Sequence, residues 1–263
     1  MSQQLSEHAA ANPGDAPIKV AVLGAAGRLG SAAVAAIQAA KDMAVVATLG
    51  RSDRLSMIEE SGATHVLDLT VPDQTEKNVR HAVAAGKHTV VGTTGWNDTK
   101  RQKLADLLEG HPQVGVMIAP NFAIGSVLAS QFAAAAAKYF ESVEIIELHH
   151  PNKVDAPSGT AIRTAELIAA ARAEAEVPAG PDATQTQLDG ARGATVDGIP
   201  VHAVRLRGLT AHQEVLFGGV GETLTFRHDS YGHDSFLQGI LLALRTVAQR
   251  PGLAYGLDNY LDL

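Results

Sequence analysis

Ile18-Lys19-Val20-Ala21-Val22-Leu23, followed at once by Gly24-Ala25-Ala26-Gly27-Arg28-Leu29-Gly30, decides the fold. The first six residues are apolar apart from Lys19, and three are β-branched, which favours a buried parallel strand ending at Gly24. From Arg28 to Ala40 the chain is Ala-rich with no Gly or Pro after Gly30, the pattern of a helix. Glycines between a strand and a helix allow a tight turn, close approach of a pyrophosphate to the backbone, and close helix–strand packing. The helix start behind them offers unpaired N–H groups to an anion. The spacing is G-x-x-G-x-x-G rather than G-x-G-x-x-G, so a dinucleotide cradle and a ligand-free glycine turn both fit it. The strand–loop–helix setting favours the cradle.

Outward from this stretch, strands are expected at 44–49, 66–70 (stopped by Pro72), 89–91 and 114–119, with helices at 75–85 and 99–109. Strands and helices alternating at this spacing make βαβ units with right-handed crossovers and a parallel sheet. The pattern changes after Asn121. A helix at 126–139, a strand at 143–148, a loop at 149–158 and a helix at 159–175 lead into an irregular Pro- and Gly-bearing segment, 178–198. Three strands then follow without helices between them, at 201–206, 214–217 and 222–227, as in an α+β domain. A closing helix at 236–249 is expected to pack on the first domain. The predicted fold is thus α/β: a Rossmann-like, doubly wound parallel sheet of residues 18–121 and 230–263, with a second α+β domain of 122–229. Residues 1–17 are polar and lack the basic start and apolar centre of a signal peptide, so they read as a disordered extension.

The chain has 263 residues, enough for a sizeable core, and its 46% hydrophobic and 19% charged residues are those of a globular protein. A formal charge of -7 argues against nucleic acid or an anionic membrane as partner, because phosphate binding needs a basic surface. No apolar run is long enough to span a bilayer. With no Cys, disulfides, thiolate metal sites and cysteine catalysis are excluded, and a reducing cytoplasm fits.

An acid about twenty residues past the glycines holds the ribose 2′-OH of NAD in many such folds. Here that place reads Leu49-Gly50-Arg51-Ser52-Asp53, with no acid at Gly50. Arg51 can meet a 2′-phosphate, which points to NADPH, or to dual use with Asp53 helping to bind NADH; a plain surface arginine is the other reading. Gly92-Thr93-Thr94-Gly95 and Ala119-Pro120-Asn121-Phe122 follow the fourth and fifth strands, at the carboxyl ends where open α/β sheets bind ligands. Alone, each could be a simple turn.

Glu147-Leu148-His149-His150-Pro151-Asn152-Lys153-Val154-Asp155-Ala156-Pro157-Ser158-Gly159-Thr160-Ala161 brings two His and one Lys into a short loop, which the two prolines keep from being helical. Ser158 suits a helix N-cap, and Gly159 and Thr160 supply N–H groups beside it. With His150 and Lys153, that helix start can cradle carboxylates. The His pair could be ordinary hydrogen-bonded loop residues. Zinc is not expected, since adjacent His residues lack the i, i+4 spacing and there is no Cys. No G-x-S-x-G elbow surrounds Ser158, which argues against a hydrolytic serine.

This stretch resembles the signature E-[LI]-H-H-x-x-K-x-D-x-P-S-G-T-A of the 4-hydroxy-tetrahydrodipicolinate reductase (dihydrodipicolinate reductase) family. The first-strand glycines, the GTTG turn, the APNF segment and Val201 to Leu209 with Ala211-His212-Gln213-Glu214 resemble that family too, in order, from Ile18 to the C-terminus. The resemblance implies that His149 is the catalytic histidine and Lys153 the proton donor. His150, Ser158, Gly159, Thr160 and Thr94 would meet a dicarboxylate heterocycle. Gly24, Ala25, Ala26, Gly27, Arg28 and Leu29, the turn Gly92 to Thr94, and Ala119 to Phe122 would hold NADPH or NADH, with Arg51 at the ribose. It further implies a homotetramer built through the late strands, and closure about the crossings near Asn121 and Asp229. Two other readings are a reductase for another small carboxylate substrate and a non-catalytic dinucleotide-binding regulator.

Overall fold

The structure is a computed structural model that describes residues 16–261. The expected N-terminal extension lies, but for its last two residues, outside the described residues. The chain divides into two compact units, one of residues 16–122 with 236–261 and one of 123–235.

The first unit begins with β1 (Ile18–Leu23), α1 (Arg28–Ala39), β2 (Met43–Leu49) and a single helical turn, α2 (Met57–Glu60). It continues through β3 (His65–Asp68), α3 (Pro72–Ala84), β4 (His88–Val91), α4 (Asp98–Glu109) and β5 (Gly115–Ile118). Every residue of β3 and β5, and the last four of β1, are buried. Strands buried along their whole length mark a parallel sheet covered on both faces. Pro72 does not merely end a strand: it occupies the first turn of α3, three residues ahead of the expected start at Thr75. A missing N–H costs nothing there, and the fixed φ suits the helix. Asn97 caps α4, its side chain accepting from the Lys100 N–H at 3.0 Å.

The second unit runs through α5 (Ile124–Ala136), β6 (Ser142–His149), α6 (Gly159–Glu174), β7 (Ala194–Val196), β8 (Ile199–Arg205), β9 (Ala211–Gly219) and β10 (Glu222–Ser230). Its sheet order is β10-β9-β6-β8-β7, antiparallel except for the β6–β8 pair. β7 lies within the segment expected to be irregular. Along β6, Val143, Ile145 and Glu147 are buried while their alternates are not, so one face of the strand packs inward. Val143 and Ile145 join Ala133, Ala161, Ala165, Ile168, Val215 and Phe217 in the core of this unit. Arg172, in the last turn of α6, donates to the carbonyls of Phe140 (2.8 Å), Glu141 (2.9 Å) and Pro178 (2.6 Å). It thereby ties down the chain that leaves α5.

From Phe236 the chain contributes again to the first unit. It does so through α7 (Asp234–Thr246), a 3₁₀ turn at Val247–Gln249 and β11 (Gly252–Tyr255), which the sequence reading did not anticipate. A Cβ on Gly239 would lie 1.9 Å from the Phe122 carbonyl oxygen, so only glycine lets α7 pack this close. β11 pairs in parallel with β5 and completes a six-stranded sheet of order β11-β5-β4-β3-β1-β2.

Candidate active site

In the first unit the candidate residues lie at the carboxyl ends of β1, β2, β4 and β5. Gly24 has φ +80, and a Cβ there would lie 2.5 Å from the Leu69 carbonyl oxygen. A Cβ on Gly30 would fall 2.1 Å from the Gly24 oxygen, so α1 rests directly on the turn. Gly27 is the N-cap of α1 and supplies no side-chain cap, and no acidic residue occupies the first turn. The helix start, with Arg28 exposed and Leu29 partly buried, is therefore shaped and polarised for an anion. These are the features a dinucleotide pyrophosphate requires, and the residues fit it.

At the end of β2, the Gly50 N–H donates to Asp53 Oδ2 at 2.8 Å, folding the carboxylate back over the strand end, while Arg51 is exposed. Gly92 is hemmed in: a Cβ would lie 2.6 Å from the Phe122 ring and 2.7 Å from the Leu69 side chain. Thr94 and Pro120 are exposed, Thr93, Ala119 and Phe122 buried, and Asn121 intermediate. A cleft of about 440 Å³ opens here, walled by Thr93, Thr94, Trp96, Ile118, Pro120 and Tyr255. Beneath it lies Asp68, fully buried, which sequence reading passed over. Its Oδ1 accepts from the Thr70 N–H (2.9 Å), the Thr70 hydroxyl (2.5 Å) and the Thr93 hydroxyl (3.3 Å). Asn78 donates to Oδ2 at 3.3 Å. This carboxylate staples the turns after β3 and β4 together. The signal was an acid placed directly after the apolar pair Val66-Leu67 at the end of a short strand.

In the second unit His149 ends β6, the exposed His150 follows, and Lys153, Ser158, Gly159 and Thr160 lie on the loop and the first turn of α6. Ser158 is the N-cap, its hydroxyl accepting from the Ala161 N–H at 3.2 Å. Nothing lies within 4 Å of a Cβ built on Gly159, so that helix start is open. Lys153 Nζ donates to Asp155 Oδ1 at 2.7 Å. That hydrogen bond, the largest influence on Asp155, holds its carboxyl below the ordinary value.

Glu147, with no side-chain exposure, underlies this arrangement. Its Oε2 contacts His149 Nδ1 at 2.6 Å and accepts from Arg205 Nη1 at 2.7 Å. Its Oε1 accepts from Arg205 Nη2 at 2.8 Å and the Ser158 N–H at 3.0 Å. Burial works to raise the Glu147 carboxyl, but the hydrogen bonds from Arg205 and His149 outweigh it and keep it below the usual carboxylate value. His149 is held below the ordinary imidazole value, chiefly by burial and further by the charges of Lys153 and Arg205, against the pull of Glu147. Sequence reading assigned a role to neither Glu147 nor Arg205. The available signal was Glu147's place in register with Val143 and Ile145 on the core face.

Two family patterns match the chain in succession. The one described as dihydrodipicolinate reductase, N-terminus, covers residues 18–122, and the one described as dihydrodipicolinate reductase, C-terminus, covers 125–261. The chain belongs to the dihydrodipicolinate reductase family. Among curated members, the 4-hydroxy-tetrahydrodipicolinate reductase of Streptomyces griseus is 61% identical over 246 residues, 94% of this chain and 98% of that protein. The namesake from Corynebacterium diphtheriae is 52% identical over 94% of this chain and 99% of its own length. Among solved structures, the dipicolinate-bound dihydrodipicolinate reductase of Paenisporosarcina sp. TG-14 is 39% identical with a TM-score of 0.84. That match covers 93% of this chain and all of the other. A myo-inositol 2-dehydrogenase from Lactobacillus plantarum, at 10% identity and TM-score 0.61, shares the fold alone. Among the described residues, no helix is long and apolar enough to cross a membrane.

Proposed function

We propose that this chain reduces 4-hydroxy-tetrahydrodipicolinate to tetrahydrodipicolinate at the expense of NADPH or NADH, a step of diaminopimelate and lysine biosynthesis, in the cytoplasm. The observation that carries this reading is the pairing of His149 and Lys153 with an open, Ser158-capped helix start in a dihydrodipicolinate reductase chain. The first unit serves as the dinucleotide-binding domain and the second unit as the substrate-binding and oligomerisation domain. Gly24 to Leu29, Gly92 to Thr94 and Ala119 to Phe122 bind the dinucleotide, and Arg51 takes the 2′-phosphate of NADPH. The exposed Asp53 beside it supports use of NADH as well.

When bound, the reduced nicotinamide supplies a hydride to C4 of the dehydrated substrate ring. Lys153 delivers a proton to the adjacent carbon, and its positive charge stabilises the electron-rich species formed before that transfer. The Gly159 and Thr160 N–H groups, with Ser158 and His150, orient the substrate carboxylates. His149 positions the ring and handles protons beside it.

The assembly is a homotetramer through the second unit's sheet. Ile146, Leu148, Val204 and Leu216 alternate with the core residues and lie on the face opposite them, only part buried, as a subunit contact requires. The test is loss of reduced-nicotinamide absorbance with NADPH and NADH in parallel, the substrate being made in situ from pyruvate and aspartate semialdehyde by the preceding synthase. Synthase-dependent oxidation supports the reading. Its absence, with folded protein and proven substrate supply, favours a non-catalytic dinucleotide-binding protein.

A further inference from the structure

The floor of the loop that carries Lys153 is an ion pair. Glu147 and Arg205 meet through two parallel hydrogen bonds of 2.7 and 2.8 Å, the bidentate geometry in which a guanidinium best matches a carboxylate. Arg205 Nη2 also donates to the Asp155 carbonyl at 2.7 Å, so the same side chain grips the loop. The remaining capacity of the carboxylate goes to the Ser158 N–H and to Nδ1 of His149.

An ionised carboxylate only accepts hydrogen bonds, so the nitrogen 2.6 Å from Glu147 carries the proton. Nε2 is then an acceptor as long as the ring is neutral. A lone buried carboxylate would draw a second proton onto the ring, but the Arg205 charge already balances this one. We infer that Glu147 and Arg205 form a matched pair of positioning residues that keeps His149 a neutral, Nδ1-protonated imidazole with Nε2 as acceptor. This leaves proton donation to Lys153. The inference rests on the reading of His149 and Lys153 as the catalytic pair. The charged groups facing His149 are Glu147 on its own strand, Arg205 on β8, and Lys153 on the following loop with its partner Asp155; β9 opposes it with Ala211.

The two charges have opposite effects on the ring, which gives the test a signature that loss of structure does not mimic. In Arg205→Met the unbalanced Glu147 draws His149 towards imidazolium, and the acidic limb of the kcat/KM profile moves to higher pH by about one unit, a tenfold change in the neutral fraction. In Glu147→Gln the limb moves to lower pH and kcat falls because the tautomer is no longer fixed. Arg205→Lys, keeping the charge, restores the wild-type limb. Limbs that stay put, or that move the same way in both variants, overturn the inference. A direct measurement needs no variant beyond His149→Asn for assignment. In the ¹⁵N-histidine-labelled full chain, long-range nitrogen–proton spectra near neutral pH should report a protonated Nδ1 and a bare Nε2 at His149. The opposite tautomer, or an imidazolium, overturns the inference. Failure of the wild type to oxidise cofactor would instead sink the functional reading, while the tautomer is decided by the spectra alone.

Discussion

Mild acid should destabilise this protein through one buried histidine of the first unit. His65 opens β3 with 6% of its surface exposed, its ring centroid 5.1 Å from that of His88. Nδ1 contacts the Thr64 hydroxyl at 2.9 Å, and Nε2 has no partner. Burial, and secondarily the neighbouring His88, push the His65 pKa from 6.5 down to about 4. Lowering a histidine's folded pKa means that the unfolded chain takes the proton first. Stability is whole above the unfolded value of 6.5, drains as pH falls from there, and stops draining below about 4. The full difference of about 2.5 units corresponds to roughly 3 kcal/mol, of which about 2 kcal/mol is lost between about pH 7.5 and about pH 5. That is a large part of the stability of an ordinary domain. Urea unfolding of the wild type and His65→Leu at both pH values isolates the contribution, since the other titrating groups cancel in the difference. The variant should lose about 2 kcal/mol less on acidification. Equal losses in the two proteins would refute the assignment of acid sensitivity to this buried ring.

Four further outcomes are expected. Lys153→Ala should lower kcat by roughly 10²- to 10⁴-fold with a smaller effect on dinucleotide KM, as loss of a proton donor does; an unchanged kcat in steady-state assays removes it from that role. Arg51→Ala should raise KM for NADPH by about tenfold or more, the worth of a charge-assisted hydrogen bond, and leave KM for NADH nearly unaltered. Gly24→Ala forces a Cβ to 2.5 Å from the Leu69 oxygen at φ +80, so dinucleotide binding followed by fluorescence should weaken sharply. Arg172→Met removes three short bonds to the carbonyls of Phe140, Glu141 and Pro178 and should cost about 3 to 5 kcal/mol in urea unfolding, with Arg172→Lys in between.

Where the sequence speaks through periodicity, the structure agrees with it closely: β1 spans Ile18–Leu23 as expected, and α6 starts at Gly159 behind its Ser158 cap. The misses have physical causes. By sequence Pro72 reads as a stop because proline ends strands, yet it is also a preferred helix start. β11 is four residues long, follows Arg250-Pro251 and opens on Gly252, so nothing local separates it from a turn; only its pairing with β5 makes it a strand. The loop from His149 to Thr160 was legible because its chemistry is contiguous in sequence. Glu147 and Arg205 were not, because their ion pair joins residues 58 positions apart and exists only once β6 and β8 lie side by side.

The discontinuity of the first unit has a consequence for how the chain is born. Residues 123–235 emerge from the ribosome as one uninterrupted block and can pack as they appear. The parallel sheet cannot finish in that order, because its sixth strand is translated after the whole of that block. Until Gly252–Tyr255 emerges, β5 remains an unpaired edge with backbone groups open to any passing strand. Nascent chains stalled just short of this point therefore carry that edge exposed.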